Sequence, residues 1–281
     1  MMPGQEFRLD LQLFEALHLH LHTYLPLIPP RISLAWLTSV LDVGCGLHLW
    51  GRDLFRVMLE QGGHDLVADV RIEGIDNHPD MVRVANQQMR SGRGRVAALP
   101  GDMFHMPADF SGRYDLVHAR FLSPFVAPHA WPALLEELVR VCKPGGWVVW
   151  CEPALPTKGE QTSAWNQWLD WIEQAIAQMG GSPQIAMSMQ DLFRQIDSLQ
   201  EIEIQKTAIP LQKTAVRQGF LTAEQVHTLH GRLLAFHSYL QAAGVASPRL
   251  LARGLQQVEE EFNMRTIASR WEWYTLSGRK F

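Results

Sequence analysis

Cysteine is scarce in this chain, and none of it is paired. Only Cys45, Cys142 and Cys151 occur among 281 residues, and no Cys-x-x-Cys spacing is present, which excludes zinc ribbons and cysteine-ligated clusters. No uninterrupted apolar run reaches bilayer length, so no membrane span is expected. A basic excess is missing too: the formal net charge is −4, which argues against nucleic acid or an anionic membrane as a partner. The N-terminus lacks a basic segment followed by a clean apolar stretch, because Glu6, Arg8, Asp10 and several histidines interrupt it; the expected location is cytoplasmic. Internal repeats, low-complexity segments and convincing linkers are absent, and no feature points to an oligomeric state. What is present is an ordinary globular composition, 47% hydrophobic and 19% charged, long enough to bury a large core. Its ten tryptophans are many for this length; most serve as core filling, and a few suit the lining of an apolar pocket.

From residue 38 to about 152, short apolar runs alternate with helical periodicity. The expected strands are 38–43, 70–76, 95–99, 114–118 and 146–152. Trp50, Leu54, Val57 and Met58 recur at helical spacing, with Gly62-Gly63 as the expected stop. A second helix starts at Pro79, and a third carries Leu134, Leu135, Leu138 and Cys142 before Lys143-Pro144-Gly145-Gly146. Such alternation predicts an α/β fold, a doubly wound, mostly parallel sheet covered on both faces. Further on, a long helix carries Trp165, Trp168, Leu169, Ile172, Ile176 and Met179, and a short one spans 189–196. EIEIQ at 201–205 alternates as a strand should. Thr222 to Gln225 form a capping box ahead of Val226–Leu240, Ser247-Pro248 starts one more helix, and 266–276 reads as a final strand.

The stretch VLDVGCG (40–46) places Gly44-Cys45-Gly46 after the first strand, where a doubly wound sheet binds ligands. Gly44 suits the tight turn, and Gly46 lets the backbone approach a ligand. Alone, a G-x-G is equally compatible with an ordinary strand-to-helix bend. Two acids strengthen it. Asp76 ends the second strand 30 residues after Gly46, where its carboxylate can accept both hydroxyls of a ribose; its neighbour Asn77 is counted with it. Asp102, in LPGDMF after the third strand, is placed to accept from an adenine amino group, with Met103 packing on the ring. Each acid taken singly reads equally well as a turn or loop residue. An adenosine ligand leaves NAD and S-adenosylmethionine open. A dinucleotide wants a third glycine beneath its pyrophosphate, and the bulk of Leu47, His48, Leu49 and Trp50 weighs against it. A methionine tail has no such need, and Asp42 suits its ammonium.

These segments resemble the class I S-adenosylmethionine-dependent methyltransferases, especially the small-molecule group near the ubiquinone/menaquinone methyltransferases. VLDVGCG (40–46), GID (74–76), GDMFHMP (101–107), YDLVHARF (114–121) and RVCKPGGWVVWCEP (140–153) carry the resemblance, over roughly residues 36–153. It implies a Rossmann-like seven-stranded sheet, S-adenosyl-L-methionine as cofactor, and an enzyme that methylates a small-molecule acceptor. The domain is then single over 1–281: a helical cover at 1–35, a cofactor-binding core at 36–155, and a C-terminal half at 156–281 with a helical cap inserted at about 211–264. The family usually has Thr-Gly where Leu47-His48 stand. His48 is expected either to pack at the loop or to touch the cofactor's carboxylate.

Methyl transfer from a sulfonium needs alignment and exclusion of water more than activation of the leaving group. Some nucleophiles also need a base. His118, at the end of YDLVH, is the leading candidate, with a structural role beneath the cofactor as the alternative. Arg120 suits an anionic substrate group or a salt bridge. Glu152, ending the next strand, suits a polar substrate group or a loop cap. A DNA amino-methyltransferase would carry an Asp/Asn-Pro-Pro-aromatic motif near residue 118, and His118-Ala119-Arg120-Phe121 does not match it. The Leu-His alternation at 17–22 puts His18 and His22 on one helical face, but without a third ligand no metal site is expected. Tyr24, by analogy with family members that use an N-terminal aromatic, is placed over the cofactor. A nicotinamide oxidoreductase and a non-catalytic S-adenosylmethionine-binding protein are the competing readings.

Overall fold

A computed structural model describes residues 18, 21, 22, 24–89, 95–156, 158, 163–210, 239–263 and 270–281. Seven strands form one sheet: β1 Ser39–Val43, β2 Arg71–Asp76, β3 Val96–Pro100, β4 Tyr114–Arg120, β5 Cys142–Pro153, β6 Leu199–Pro210 and β7 Arg270–Lys280. Their order is β3-β2-β1-β4-β5-β7-β6. β1 to β5 run parallel, and β7 is antiparallel to both neighbours. The chain winds outward from β1 to β3, then returns to the other side of β1 to form β4. The switch of direction therefore falls between β1 and β4, and the crevice above it is where such sheets take ligands.

The central strands are apolar on both sides because helices cover both faces. On one face Val40, Ile72, Leu116 and Val149 pack against Trp50, Leu54 and Met58 of α1 (Leu49–Leu66) and Val82 and Ala85 of α2 (Pro79–Gln88). On the other, Leu41, Val117, Val148 and Trp150 meet Trp131, Leu134 and Leu138 of α3 (Trp131–Val141). Each fully buried side chain such as Leu54 contributes about 1.5–3 kcal/mol by leaving water. Beyond β5, α4 (Ala164–Gln178) begins where Ser163 accepts from the Asn166 N–H. Its Trp168, Trp171 and Ile172 pack on Leu251, Leu255 and Val258 of α6 (Pro248–Asn263). Gly254 is needed there, because a Cβ would lie 2.6 Å from the Trp171 ring. The short α5 (Met189–Arg194) backs β6 and β7.

Several boundaries differ from expectation; the strand expected at 201–205, for one, runs from Leu199 to Pro210. Gly63 does leave helical geometry, at φ 66°, but the helix resumes and runs to Leu66. The Lys143-Pro144-Gly145-Gly146 segment belongs to β5, whose register against β4 slips between Tyr114 and Leu116. The last strand sits later than 266–276, because its pairing with β5 aligns Trp273 with Pro153 and Arg279 with Trp147. The capping box at 222–225, with residues 211–238 and 264 of the expected cap, lies outside the described residues, as does the cover before His18.

Candidate active site

The glycine loop hangs from the end of β2. Both Gly44 and Cys45 donate their N–H to the Ile75 carbonyl, at 2.9 and 3.1 Å. Gly44 has φ +65°, and a Cβ there would fall 2.4 Å from Leu122 Cδ2. Gly46 has φ +53° with nothing within 4 Å of its Cβ direction, so the open side of the loop is at this residue. Here the residues fit an adenosyl ligand: bare backbone faces open space beside the strand ends that carry Asp76 and Asp102.

His48 caps α1 in the left-handed region, at φ 52°, and is fully buried. Two glycines make room for its ring. A Cβ on Gly51 would sit 2.2 Å from His48 Cε1, and one on Gly74 would sit 2.7 Å from its Nδ1. The imidazole fills that slot, points into the domain, and donates from Nδ1 to Asp42 Oδ2 at 3.1 Å. Of the two expectations for His48, this geometry is packing at the loop.

Asp42 is only 4% exposed and gives its second oxygen to His118, whose Nδ1–H lies 2.8 Å from Oδ1. Burial pushes the Asp42 carboxyl up, and the hydrogen bonds from His118 and His48 more than reverse this, leaving it ionised well below the usual carboxylate range. The Asp42 carboxylate thus accepts from two imidazoles beneath the loop. His118 is 2% exposed and stacked on Trp50, with centroids 3.7 Å apart and planes 5° from parallel. Burial, partly offset by Asp42, lowers its pKa, so the ring is neutral at pH 7. This placement moves His118 from the cleft to its foundation.

Asp76 is half-buried and binds both sides of its bend: Oδ2 accepts the Gly46 N–H and Oδ1 the His78 N–H, each at 2.8 Å. Asn77 is exposed beside it. Gly101 N–H donates to the Asp76 carbonyl at 2.9 Å, joining the β3 end to the β2 end. There Asp102 is exposed, accepting from Phe104 N–H at 2.9 Å and from His105 Nδ1 at 2.8 Å, and the His105 bond holds its pKa down. Met103 is partly buried against the core. Loop, Asp76 and Asp102 lie on one edge of the sheet, at the ends of β1, β2 and β3.

Across the switch point, Glu152 is fully buried. It accepts from Leu122 N–H at 2.6 Å, Ser123 N–H at 3.2 Å and Trp150 Nε1–H at 3.2 Å. Burial pushes its carboxyl up to about 7. Of its two expected roles this geometry is the loop cap, bracing residues 121–123, where Phe121 sits at φ 57° and Leu122 closes on Gly44. Arg120 ends β4 with Nη2 2.9 Å from His18 Nδ1. Tyr24 packs with Phe121 and Trp271 around a buried group of Leu21, Leu25, Cys151, Ile209 and Trp273, on the β5–β7 side.

Sequence reasoning missed Asp53, which receives His18 Nε2–H at 2.8 Å and lies 3.7 Å from His22. It also missed Gly51, Gly74 and the ring role of Trp50. The Leu-His alternation at 17–22 was the available signal for Asp53, and a partner acid on α1 is what it required. Among the described residues no group of three or more His, Cys, Asp or Glu is arranged to hold a metal.

A doubly wound sheet whose seventh strand is antiparallel, with a glycine loop at its switch point and acids at the next two strand ends, is the architecture of a nucleoside-binding α/β domain. Residues 40–146 match the methyltransferase domain family. The sheet that this segment builds has the fold of the class I S-adenosylmethionine-dependent methyltransferases. The secondary metabolism regulator laeA of Coprinopsis cinerea is 25% identical over 233 residues, covering 78% of this chain and 51% of that protein. The demethylmenaquinone methyltransferase of Shouchella clausii is 30% identical over 121 residues, covering 43% of this chain and 47% of that protein. The chain thus spans about half the length of these curated relatives. Phosphoethanolamine N-methyltransferase 2 of Haemonchus contortus, solved with S-adenosyl-L-methionine, shares the fold at TM-score 0.51 and 14% identity, over 86% of this chain and 48% of that one.

Proposed function

We propose that the protein transfers a methyl group from S-adenosylmethionine to a small, partly apolar organic acceptor. The observation that carries this reading is the alignment of an open Gly46 backbone with Asp76 and Asp102 along one sheet edge. In it, Gly44, Cys45 and Gly46 would cradle the tail, Asp76 with Asn77 the ribose, and Asp102 with Met103 the adenine. Bound there, the cofactor supplies a methyl group on a sulfonium, open to in-line displacement.

The chain's own part is to orient the acceptor and keep water out. Tyr24, Phe121, Trp271 and Trp273 offer an apolar wall past the ends of β4 and β5. The buried indole N–H groups of Trp271 and Trp273 have no hydrogen-bond partner among the described residues, which suits an acceptor bearing a polar oxygen. His118 and Glu152 are engaged in the framework, so proton removal rests on the acceptor's own acidity or on solvent. Quenching of tryptophan fluorescence by S-adenosylhomocysteine, and none by NADH, is the expected result. Binding of NADH alone would overturn the reading in favour of an oxidoreductase. Binding of S-adenosylhomocysteine without methyl transfer to any acceptor in a small-molecule panel would favour a cofactor-holding protein.

A further inference from the structure

α3 holds the loop that carries Asp102 by both amide groups of one residue. Glu137 Oε1 accepts the Met106 N–H at 2.8 Å, and Arg140 Nη2 donates to the Met106 carbonyl at 2.9 Å. The two side chains, three residues apart on the helix, are joined by Arg140 Nε to Glu137 Oε2 at 2.6 Å and Nη2 to Oε1 at 2.7 Å. Arg140 Nη1 also donates to Ser111 Oγ at 2.6 Å. The pair thus offers Met106 an acceptor and a donor side by side, as a neighbouring strand would. The Glu137 carboxyl is held below its ordinary range and the Arg140 guanidinium above its own, in each case chiefly by the hydrogen bond between them. An ion pair of this spacing on an open helix face contributes little by itself. Here it grips the backbone of a buried residue, whose side chain packs in the same core as Leu134 and Leu138 of α3.

Residues 102–105 hang between this point and one other. Gly101 N–H donates to the Asp76 carbonyl at 2.9 Å, and a Cβ on Gly101 would lie 2.6 Å from Ile75 Cδ1, so the loop leaves β3 at a fixed place. Between the two pins the turn closes on itself: His105 N–H donates to the Asp102 carbonyl at 3.2 Å, and Phe104 N–H to Asp102 Oδ1 at 2.9 Å. So short a turn between pinned ends has little freedom, and moving the far pin tilts the Asp102 carboxylate. A hydrogen bond weakens steeply once its angle or distance leaves the ideal, so a small tilt is costly. We infer that Glu137 and Arg140 are positioning residues for base recognition, an α3 pair that sets the angle at which Asp102 meets the base of the cofactor. The inference rests on the adenine contact proposed above for Asp102. The pair acts through the Met106 backbone and touches no ligand.

The test compares S-adenosylhomocysteine with the analogue whose base is unsubstituted purine, hydrogen replacing the amino group that Asp102 would accept from. Titration calorimetry on the full chain gives both affinities. Wild type is expected to prefer S-adenosylhomocysteine by roughly tenfold to a hundredfold, the scale of a hydrogen bond to a charged acceptor. Arg140→Met and Glu137→Ala shrink the preference to about threefold or less, through weaker binding of S-adenosylhomocysteine alone. Glu137→Gln, which retains an acceptor for the Met106 N–H, and Arg140→Lys, which retains a charge, fall between. These two carry the comparison should the larger truncations fail to fold. Lys280 Nζ donates to the Val139 and Cys142 carbonyls, each at 2.8 Å, so Lys280→Met loosens the same helix end without removing a bond to the loop. It is expected to melt lower and keep the full preference. An unchanged preference in the Glu137 and Arg140 variants, or equal weakening of both ligands, overturns the inference. A preference lost equally in Lys280→Met overturns it too, because helix stability would then explain the loss. A wild type that binds both compounds alike rejects the inference together with the base contact and spares the cofactor assignment, whereas one that binds neither sinks that assignment as well.

Discussion

The packing of the His48 ring on Gly51 makes a prediction that changes sign with its background. In wild type, Gly51→Ala places a methyl group 2.2, 2.6 and 2.8 Å from three atoms of the His48 ring, well inside contact distance. Overpacking of this kind costs about 1–3 kcal/mol, and the depth of overlap argues for the upper end. Alanine in the first turn of α1 returns up to about 1 kcal/mol of helix propensity, so the net expectation is a loss of about 2 kcal/mol. In a His48→Gly background the ring is gone and position 48, at φ 52°, suits glycine. Gly51→Ala then meets empty space and gains up to about 1 kcal/mol. The two substitutions are therefore coupled by about 3 kcal/mol, far above the roughly 0.5 kcal/mol expected of independent sites. Urea unfolding of the four proteins measures it. Equal effects of Gly51→Ala in both backgrounds would refute the idea that Gly51 exists to seat the imidazole.

Three further outcomes follow from the same geometry. Glu152, raised from the ordinary 4.5 to about 7 in the folded chain, holds its proton more tightly folded than unfolded. Its contribution is complete below pH 4.5 and is lost as pH rises through about 7, on the order of 3 kcal/mol in all. Melting curves from pH 5 to 8 should show this decline in wild type and a flatter profile in Glu152→Gln; identical profiles would reject it. Asp42→Asn removes the charge between two buried imidazoles and should cost about 3–5 kcal/mol in chemical denaturation, with a loss under 1 kcal/mol contradicting the arrangement. Asp76→Ala loses both the brace on Gly46 and the proposed ribose acceptor. Calorimetry should show S-adenosylhomocysteine binding weakened at least tenfold, with Asp76→Asn intermediate, and unchanged affinity would count against the site.

The cleft and its foundation meet at the same few residues. Asp42 and His118 face each other across β1 and β4, and the Trp50 ring stacked on His118 ties them to α1. The loop that carries Gly46 thus stands on a buried polar cluster in which carboxylate and imidazoles satisfy one another. Half-satisfied clusters of this sort are costly, and completed ones favour a single geometry. Leu122 completes the floor from the other side, held by Glu152 against Gly44.

Backbone conformation is written locally, and it was legible. Apolar runs of strand length, the glycines at 44 and 46 and the acids at 76 and 102 were enough to foresee a doubly wound sheet with a ligand edge. That is because hydrophobic periodicity and φ preference act within a few residues. Side-chain partnership is not local. Asp42 meets His118 only because β4 lies beside β1 in a register that pairs those positions, 76 residues apart in sequence. His18 reaches Asp53 and Arg120 only because the fold brings it between α1 and the β4 end. Whether a strand-end acid or histidine faces a ligand or props up its neighbours depends on such register and packing. Tertiary structure alone therefore decided that Asp42, His48, His118 and Glu152 build the cleft, and that Arg120 meets His18 there.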